Sequence, residues 1–149
     1  RNLYLGNSLR VPGKLEMLGV RVDLHKITVP SYLMAAREDH IVPWHGAYLS
    51  RKVLGGPTTF VLAASGHIAG AINPVSKNRR NYWVNDSDKI LTSDEWVAGA
   101  TERKGSWWSH WTEWLGQRSG KKVAPPKNPG SATHTAIEPA PGRYVKARA

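Results

Sequence analysis

The sequence predicts an α/β fold, a parallel sheet with flanking helices, and three observations carry that prediction. Two short apolar runs, 31–36 and 58–64, have the length of buried strands and end abruptly in polar residues. Between them, 44–54 places Ala47, Tyr48, Val53 and Leu54 near helical spacing and stops at Gly55-Gly56, so the stretch reads as a βαβ unit. The second run is largely apolar on both alternating faces, Thr59, Val61 and Ala63 on one and Phe60, Leu62 and Ala64 on the other, as a central parallel strand requires.

Taken in order, 1–18 starts with a short helical or turn pattern up to Leu9 and then a turn pair, Pro12-Gly13. Residues 20–24 alternate Val20, Val22 and Leu24 against Arg21 and Asp23, the pattern of a small edge strand or hairpin arm. The first long strand follows, with small residues at its end, and then a loop, 37–44, carrying two carboxylates and two ring systems. In that loop Glu38 is read as paired with Arg37 or solvated, and His25, isolated upstream, is given no role. After the second strand, 77–85 is basic and aromatic, and it is read as a surface segment with Trp83 packed underneath. Thr92 stands three residues before Glu95, the spacing of a capping box, so a helix is expected over 94–103. A second helix is expected over 107–115, where Trp107, Trp111 and Trp114 follow helical spacing, widened by Trp108 and Leu115, and would clamp onto the sheet. Those rings need a surface to bury against, and 149 residues offer only two or three strand candidates. Together with a start at Arg1 rather than Met, this makes the chain read as part of a larger body.

Composition bounds the function. With no cysteine there is neither a disulfide nor a Cys metal site. No apolar run approaches the ~18 residues of a membrane span, and no leader of the secretory kind opens the chain, so it is read as soluble or peripheral with no transmembrane segment. The net charge of +10 is unevenly spread. From residue 117 onward Arg118, Lys121, Lys122, Lys127, Arg143, Lys146 and Arg148 face Glu138 alone. This Pro-, Ala- and Gly-rich tail is read as a solvated arm rather than a nucleic-acid site, since no nucleic-acid motif accompanies the charge.

The chemistry-bearing pair is Asp39 and His67. Each follows a strand of the βαβ unit, and ligands of open parallel sheets sit beyond the carboxyl ends of the strands. Asp39 alone would be an ordinary turn or cap aspartate, and a lone histidine is usually structural. Placed one βα unit apart, they are better read as a catalytic acid and base, with Gly66 and Gly70 letting the loop present the imidazole. In one large hydrolase architecture the order along the chain is nucleophile, acid, histidine. Here the first member is missing: Ser8 has Arg10 where the strained elbow needs a small residue, and Ser65 lies too close to His67.

The strings REDHIVPW (37–44), ASGHIAGAINP (64–74), NYWVN (81–85), EWVAGATERKGSWWSHW (95–111) and EPAPGRYVKARA (138–149) resemble the carboxyl-terminal part of class I polyhydroxyalkanoate synthases, over essentially the whole chain. The resemblance implies an α/β-hydrolase-type domain that polymerises (R)-3-hydroxyacyl groups from coenzyme A thioesters onto a growing polyester and releases coenzyme A. It also implies a homodimer on polyester granules in a bacterial cytoplasm. No cofactor or metal is expected, coenzyme A entering as part of the substrate. Of the family's Cys-Asp-His set, Asp39 and His67 match the aspartate and histidine, the cysteine would precede this stretch, and the fragment alone is expected to be inactive. His40 and Trp44 are expected beside the substrate. Residues 1–19 would then end a lid region, 20–116 form the carboxyl-terminal part of the catalytic domain, and 117–149 form the tail. An esterase or thioesterase of the same fold, or a basic binding module, remains as an alternative.

Overall fold

The structure, a computed structural model, describes residues 1–87, 89 and 91–148. It divides into two units, Arg1–Gln117 and Arg118–Ala149.

The first unit is built on a four-stranded sheet of order β3-β4-β5-β6, with β3 Ser31–Ala36, β4 Thr58–Ala63, β5 Asn81–Val84 and β6 Thr101–Lys104. Strands β3 and β4 are parallel and in step from Ser31 opposite Thr58 to Ala36 opposite Ala63, so both chains leave the sheet at the same end. The expected parallel sheet holds for that pair, and beyond it the sheet is mixed: β5 runs antiparallel to β4, and β6 antiparallel to β5. The 77–85 segment is thus half strand, and the helix expected over 94–103 is two elements. That helix, α3 (Ser93–Ala98), opens on the expected capping box, with Thr92 accepting from Glu95 N and the Glu95 carboxylate accepting from Thr92 N, and it ends at Gly99. The chain then returns as β6. Upstream, β1 (Leu15–Met17) and β2 (Val20–Val22) form a small antiparallel hairpin.

Alternation sends Leu33, Ala35, Phe60, Leu62 and Trp83 to one face. There Trp44 and Tyr48 of α1 (Trp44–Tyr48) and Trp96 of α3 cover them. Phe60 is wedged edge-on between Tyr48, at 5.1 Å and 87°, and Trp96, at 4.9 Å and 83°. Such pairs contribute about 0.5–1.5 kcal/mol each beyond area burial. The helix expected over 44–54 is shorter than its spacing suggested: α1 passes at Leu49 into a 3₁₀ turn, Leu49–Lys52, and Leu49 is exposed. Gly55 does more than stop it, since a Cβ there would lie 1.8 Å from the carbonyl oxygen of His25. Only glycine lets that upstream segment pass so close.

The other face presents Tyr32, Val61, Tyr82 and Val84 to α4 (Trp107–Gly116). Ser106 caps α4 by accepting from Trp108 N. The tryptophan face predicted for this helix is rotated. Trp107 and Trp114 approach Tyr32, at 6.2 and 5.4 Å, while Trp111 and Leu115 are exposed and His110 takes the place toward the sheet. Burial and the neighbouring Arg103 charge depress the His110 pKa, and burial, then the nearby Tyr82, raises that of Tyr32. Both shifts favour the neutral forms, and the Tyr32 hydroxyl and His110 Nδ1 share a hydrogen bond at 2.9 Å.

In the second unit a 3₁₀ turn, Tyr144–Lys146, an isolated bridge between Gly130 and Thr135, and an Arg143–Glu138 ion pair at 3.2 Å are its local order. Most of its residues are exposed. No helix among the described residues is long and apolar enough to cross a membrane.

Candidate active site

The two loops leaving β3 and β4 are stitched together before either reaches its candidate side chain. Arg37 N donates to Ala63 O at 2.8 Å and Glu38 N to Ser65 O at 3.0 Å. Asp39 N then closes a turn onto Ala36 O. On the other side Ser65 holds φ at 80°, a left-handed conformation uncommon for a residue with a side chain, and turns the chain into α2 (His67–Ala71). The imidazole is thus carried on the first residue of a helix that starts where the strand-ending turn stops.

The side chains meet. His67 Nδ1 lies 2.7 Å from Asp39 Oδ2. Asp39 Oδ1 accepts from the backbone N–H groups of Ile41 at 2.8 Å and Val42 at 2.9 Å, an Asx-type turn that fixes the carboxylate before it contacts the ring. Those bonds, the Val42 N–H first among them, and then His67, favour the ionised form and hold the Asp39 pKa down to about 2. An ionised carboxylate only accepts, so Nδ1 carries the proton, and in the neutral ring the lone pair is on Nε2. The Asp39 side chain is 8 % exposed and that of His67 45 %, which shields the orienting group while leaving the ring reachable. Beside them lies a cavity of about 230 Å³, lined by Asp39 and His67 with Met34, Ala35, Ala36, Val42, Ala47 and Ala71. Polar chemistry is confined to one wall of an otherwise apolar space. The arrangement can take a proton at Nε2 and balance the resulting imidazolium with a fixed negative charge.

The other residues singled out from sequence lie elsewhere. His40 is exposed on the loop and does not line the cavity. Trp44 is buried in the core with Tyr48 and Phe60, its ring 4.0 Å from that of His45. Arg37 stacks over the Trp83 ring at 4.5 Å instead of pairing with Glu38, which is exposed. His25 contacts Asp23 at 3.3 Å, away from the site. Of the cavity wall, the small residues ending β3 were visible as a pattern. Val42 and Ala71 were not, because nothing in their local sequence marks them as facing a pocket. Among the described residues, no three His, Cys, Asp or Glu side chains converge to hold a metal ion.

No family model matches the chain. Curated relatives do. It is 56 % identical over all 149 residues to the poly(3-hydroxyalkanoate) polymerase subunit PhaC of Cupriavidus necator, covering 25 % of that protein. It is 40 % identical over 149 residues to the same subunit of Rhizobium meliloti, covering 24 %. With poly(3-hydroxyalkanoate) polymerase 2 of Ectopseudomonas oleovorans it shares 42 % over 144 residues, covering 95 % of this chain and 25 % of that one. The chain spans about a quarter of the length of these relatives. Identity of this extent over its whole length means that the chain belongs to the poly(3-hydroxyalkanoate) polymerase family, matching a stretch of about a quarter of its members' length.

Proposed function

We propose that this stretch supplies the acid and the base of the catalytic domain of a poly(3-hydroxyalkanoate) polymerase, with an α/β-hydrolase-type sheet completed by the rest of the protein. The observation that carries the reading is the 2.7 Å contact between His67 Nδ1 and Asp39 Oδ2 beyond the carboxyl ends of two parallel strands. The nucleophile would be a cysteine outside this chain, which itself has none, so the 149 residues alone would not turn over. Residues 20–116 would form the last part of the catalytic domain, 1–19 the end of a lid, and 117–149 a tail.

In the proposed reaction Nε2 of His67 takes the thiol proton, and the thiolate attacks the carbonyl carbon of an (R)-3-hydroxyacyl coenzyme A thioester. The C–S bond to coenzyme A breaks, and the imidazolium returns its proton to the departing thiolate. Asp39 orients the ring and offsets its charge. Elongation requires the 3-hydroxyl of an acyl unit to lose its proton as its oxygen attacks the thioester carbonyl of the enzyme-bound chain, whose C–S bond to the cysteine breaks and whose sulfur leaves as a thiolate that takes the proton back. We assign that step to His67 also, because both Asp39 oxygens are already engaged and a carboxylate with a pKa of about 2 is a weak base. No cofactor takes part. A homodimer bound to polyester granules in a bacterial cytoplasm completes the reading.

The test is made in a complete polymerase carrying this stretch, with 3-hydroxybutyryl-coenzyme A as substrate. His67→Ala should nearly abolish coenzyme A release while leaving the thermal midpoint unchanged. Wild-type turnover in that variant removes the role, and free 3-hydroxy acid in place of polymer from the unmodified protein reassigns the chain to a thioesterase.

A further inference from the structure

Helix α2 carries His67 yet is only five residues long, His67–Ala71. A helix of that length does not persist by itself, and its last carbonyls lack helical donors. Three consecutive ones are each met by a side-chain N–H. Ala69 O accepts from Arg80 Nη1 at 2.9 Å, Gly70 O from Trp107 Nε1 at 2.9 Å, and Ala71 O from Trp108 Nε1 at 3.0 Å. Two adjacent residues at the start of α4 thus grip two adjacent carbonyls at the end of α2. The chain just beyond is tied to the same point, with the Ser106 hydroxyl donating to Asn73 O and Asn73 Nδ2 donating to Arg79 O at 2.8 Å.

The grip is referenced to the strand that leads into Asp39. The Trp107 ring stacks on Tyr32 of β3 at 6.2 Å and 23°. On the same face of β3, α2 rests on the strand through Gly70, where a Cβ would stand 2.6 Å from that of Ala36. Ala36 in turn accepts the turn-closing bond from Asp39. The donor that fixes α2 and the carboxylate that fixes the ring therefore share one strand as their frame. Burial of apolar area accounts for indole rings at these positions, but it does not require both N–H groups to be aimed at the carbonyl end of the histidine's helix.

We propose that Trp107 and Trp108 are positioning residues for His67, acting through the Gly70 and Ala71 carbonyls to set the ring against Asp39. The inference rests on the reading of His67 and Asp39 as the proton-transfer pair. The test replaces each tryptophan, singly and together, with 3-benzothienylalanine, which keeps the ring and removes the N–H, in a complete polymerase carrying this stretch. Trp107→Phe and Trp108→Phe serve as genetically encoded counterparts, and the same replacement at exposed Trp111 is the control. In the double replacement kcat for coenzyme A release should fall about 10- to 100-fold, as misplacement of a catalytic group by up to about 1 Å does. KM should stay within about twofold, the sign that substrate binding is untouched. The ¹⁵N-detected His67 Nδ1–H resonance should shift in the same protein, and the control should change neither. Unchanged kcat and an unchanged His67 resonance overturn the proposal, as does an equal loss on replacing Trp111. A wild-type enzyme that releases no coenzyme A would instead refute the catalytic reading, and the His67 resonance would still decide whether the two indoles position the ring.

Discussion

Asp39→Asn exchanges one oxygen for an NH₂ group, and the hydrogen bonds around the carboxylate dictate where that group can go. If the amide nitrogen takes the Oδ1 position, it faces two backbone donors, Ile41 N at 2.8 Å and Val42 N at 2.9 Å. If it takes the Oδ2 position, it faces one, the protonated His67 Nδ1 at 2.7 Å. The second arrangement leaves fewer donors opposed and is the one expected. His67 then escapes the conflict by moving its proton to Nε2 so that Nδ1 can accept, which removes the lone pair that would receive the thiol proton. The turn survives because its oxygen is still present. Turnover should therefore fall about 10⁴-fold, the scale seen when a triad aspartate is replaced by asparagine and the histidine is held in the wrong tautomer, with little change in thermal midpoint. Asp39→Ala should lose comparable activity and also lower the midpoint, since Ile41 N and Val42 N lose their acceptor. Coenzyme A release followed with a thiol reagent gives the rate, and ¹⁵N chemical shifts of the His67 ring give the tautomer. An asparagine variant that keeps turnover within about tenfold of wild type, with the proton still on Nδ1, would refute the reasoning.

Other perturbations test the scaffold. Gly70→Ala should lower both thermal midpoint and turnover, because overpacking against Ala36 of about 1–3 kcal/mol outweighs the roughly 1 kcal/mol gained in helix propensity; a raised midpoint would contradict the close approach. Phe60→Ala empties the slot between Tyr48 and Trp96 and should cost about 3–5 kcal/mol, read from the urea midpoint. Thr92→Ala removes the acceptor for Glu95 N and should cost about 1 kcal/mol. The Asp39 pKa lies below its ordinary value of 3.8, so its share of stability is complete above that pH and is lost as pH falls toward about 2. Carboxyl ¹³C shifts of Asp39 should stay in the ionised range at pH 3, and protonation there would contradict the two backbone donors.

The parallel pair and the two residues at its ends were legible because each strand is apolar on both faces and stops at small or polar residues. What escaped had no such signature. β6 reads Thr-Glu-Arg-Lys and is exposed throughout, so no apolar period marks it, and its four residues looked like the last turn of a helix whose start was well signalled. β5 offers only Tyr82 and Val84 on one side and Trp83 on the other, too short an alternation to stand out beside Lys77, Arg79 and Arg80. In α4 the spacing rule ranked Trp111 above His110 because tryptophan is the more apolar. A hydrogen bond to a tyrosine on β3 decided otherwise. Trp44, expected beside the substrate, packs its ring in the core with Tyr48 and Phe60.

The four-stranded sheet has two unlike borders. Along β6 a row of charged side chains meets water and discourages any further strand from adding on. The far side of β3, Ser-Tyr-Leu-Met-Ala-Ala, has no such guard, and among the described residues no strand pairs with it. Growth of the sheet is thereby given a direction, and new backbone can lengthen the ladder at β3, the same strand that holds Asp39, His67 and the indole clamp in register.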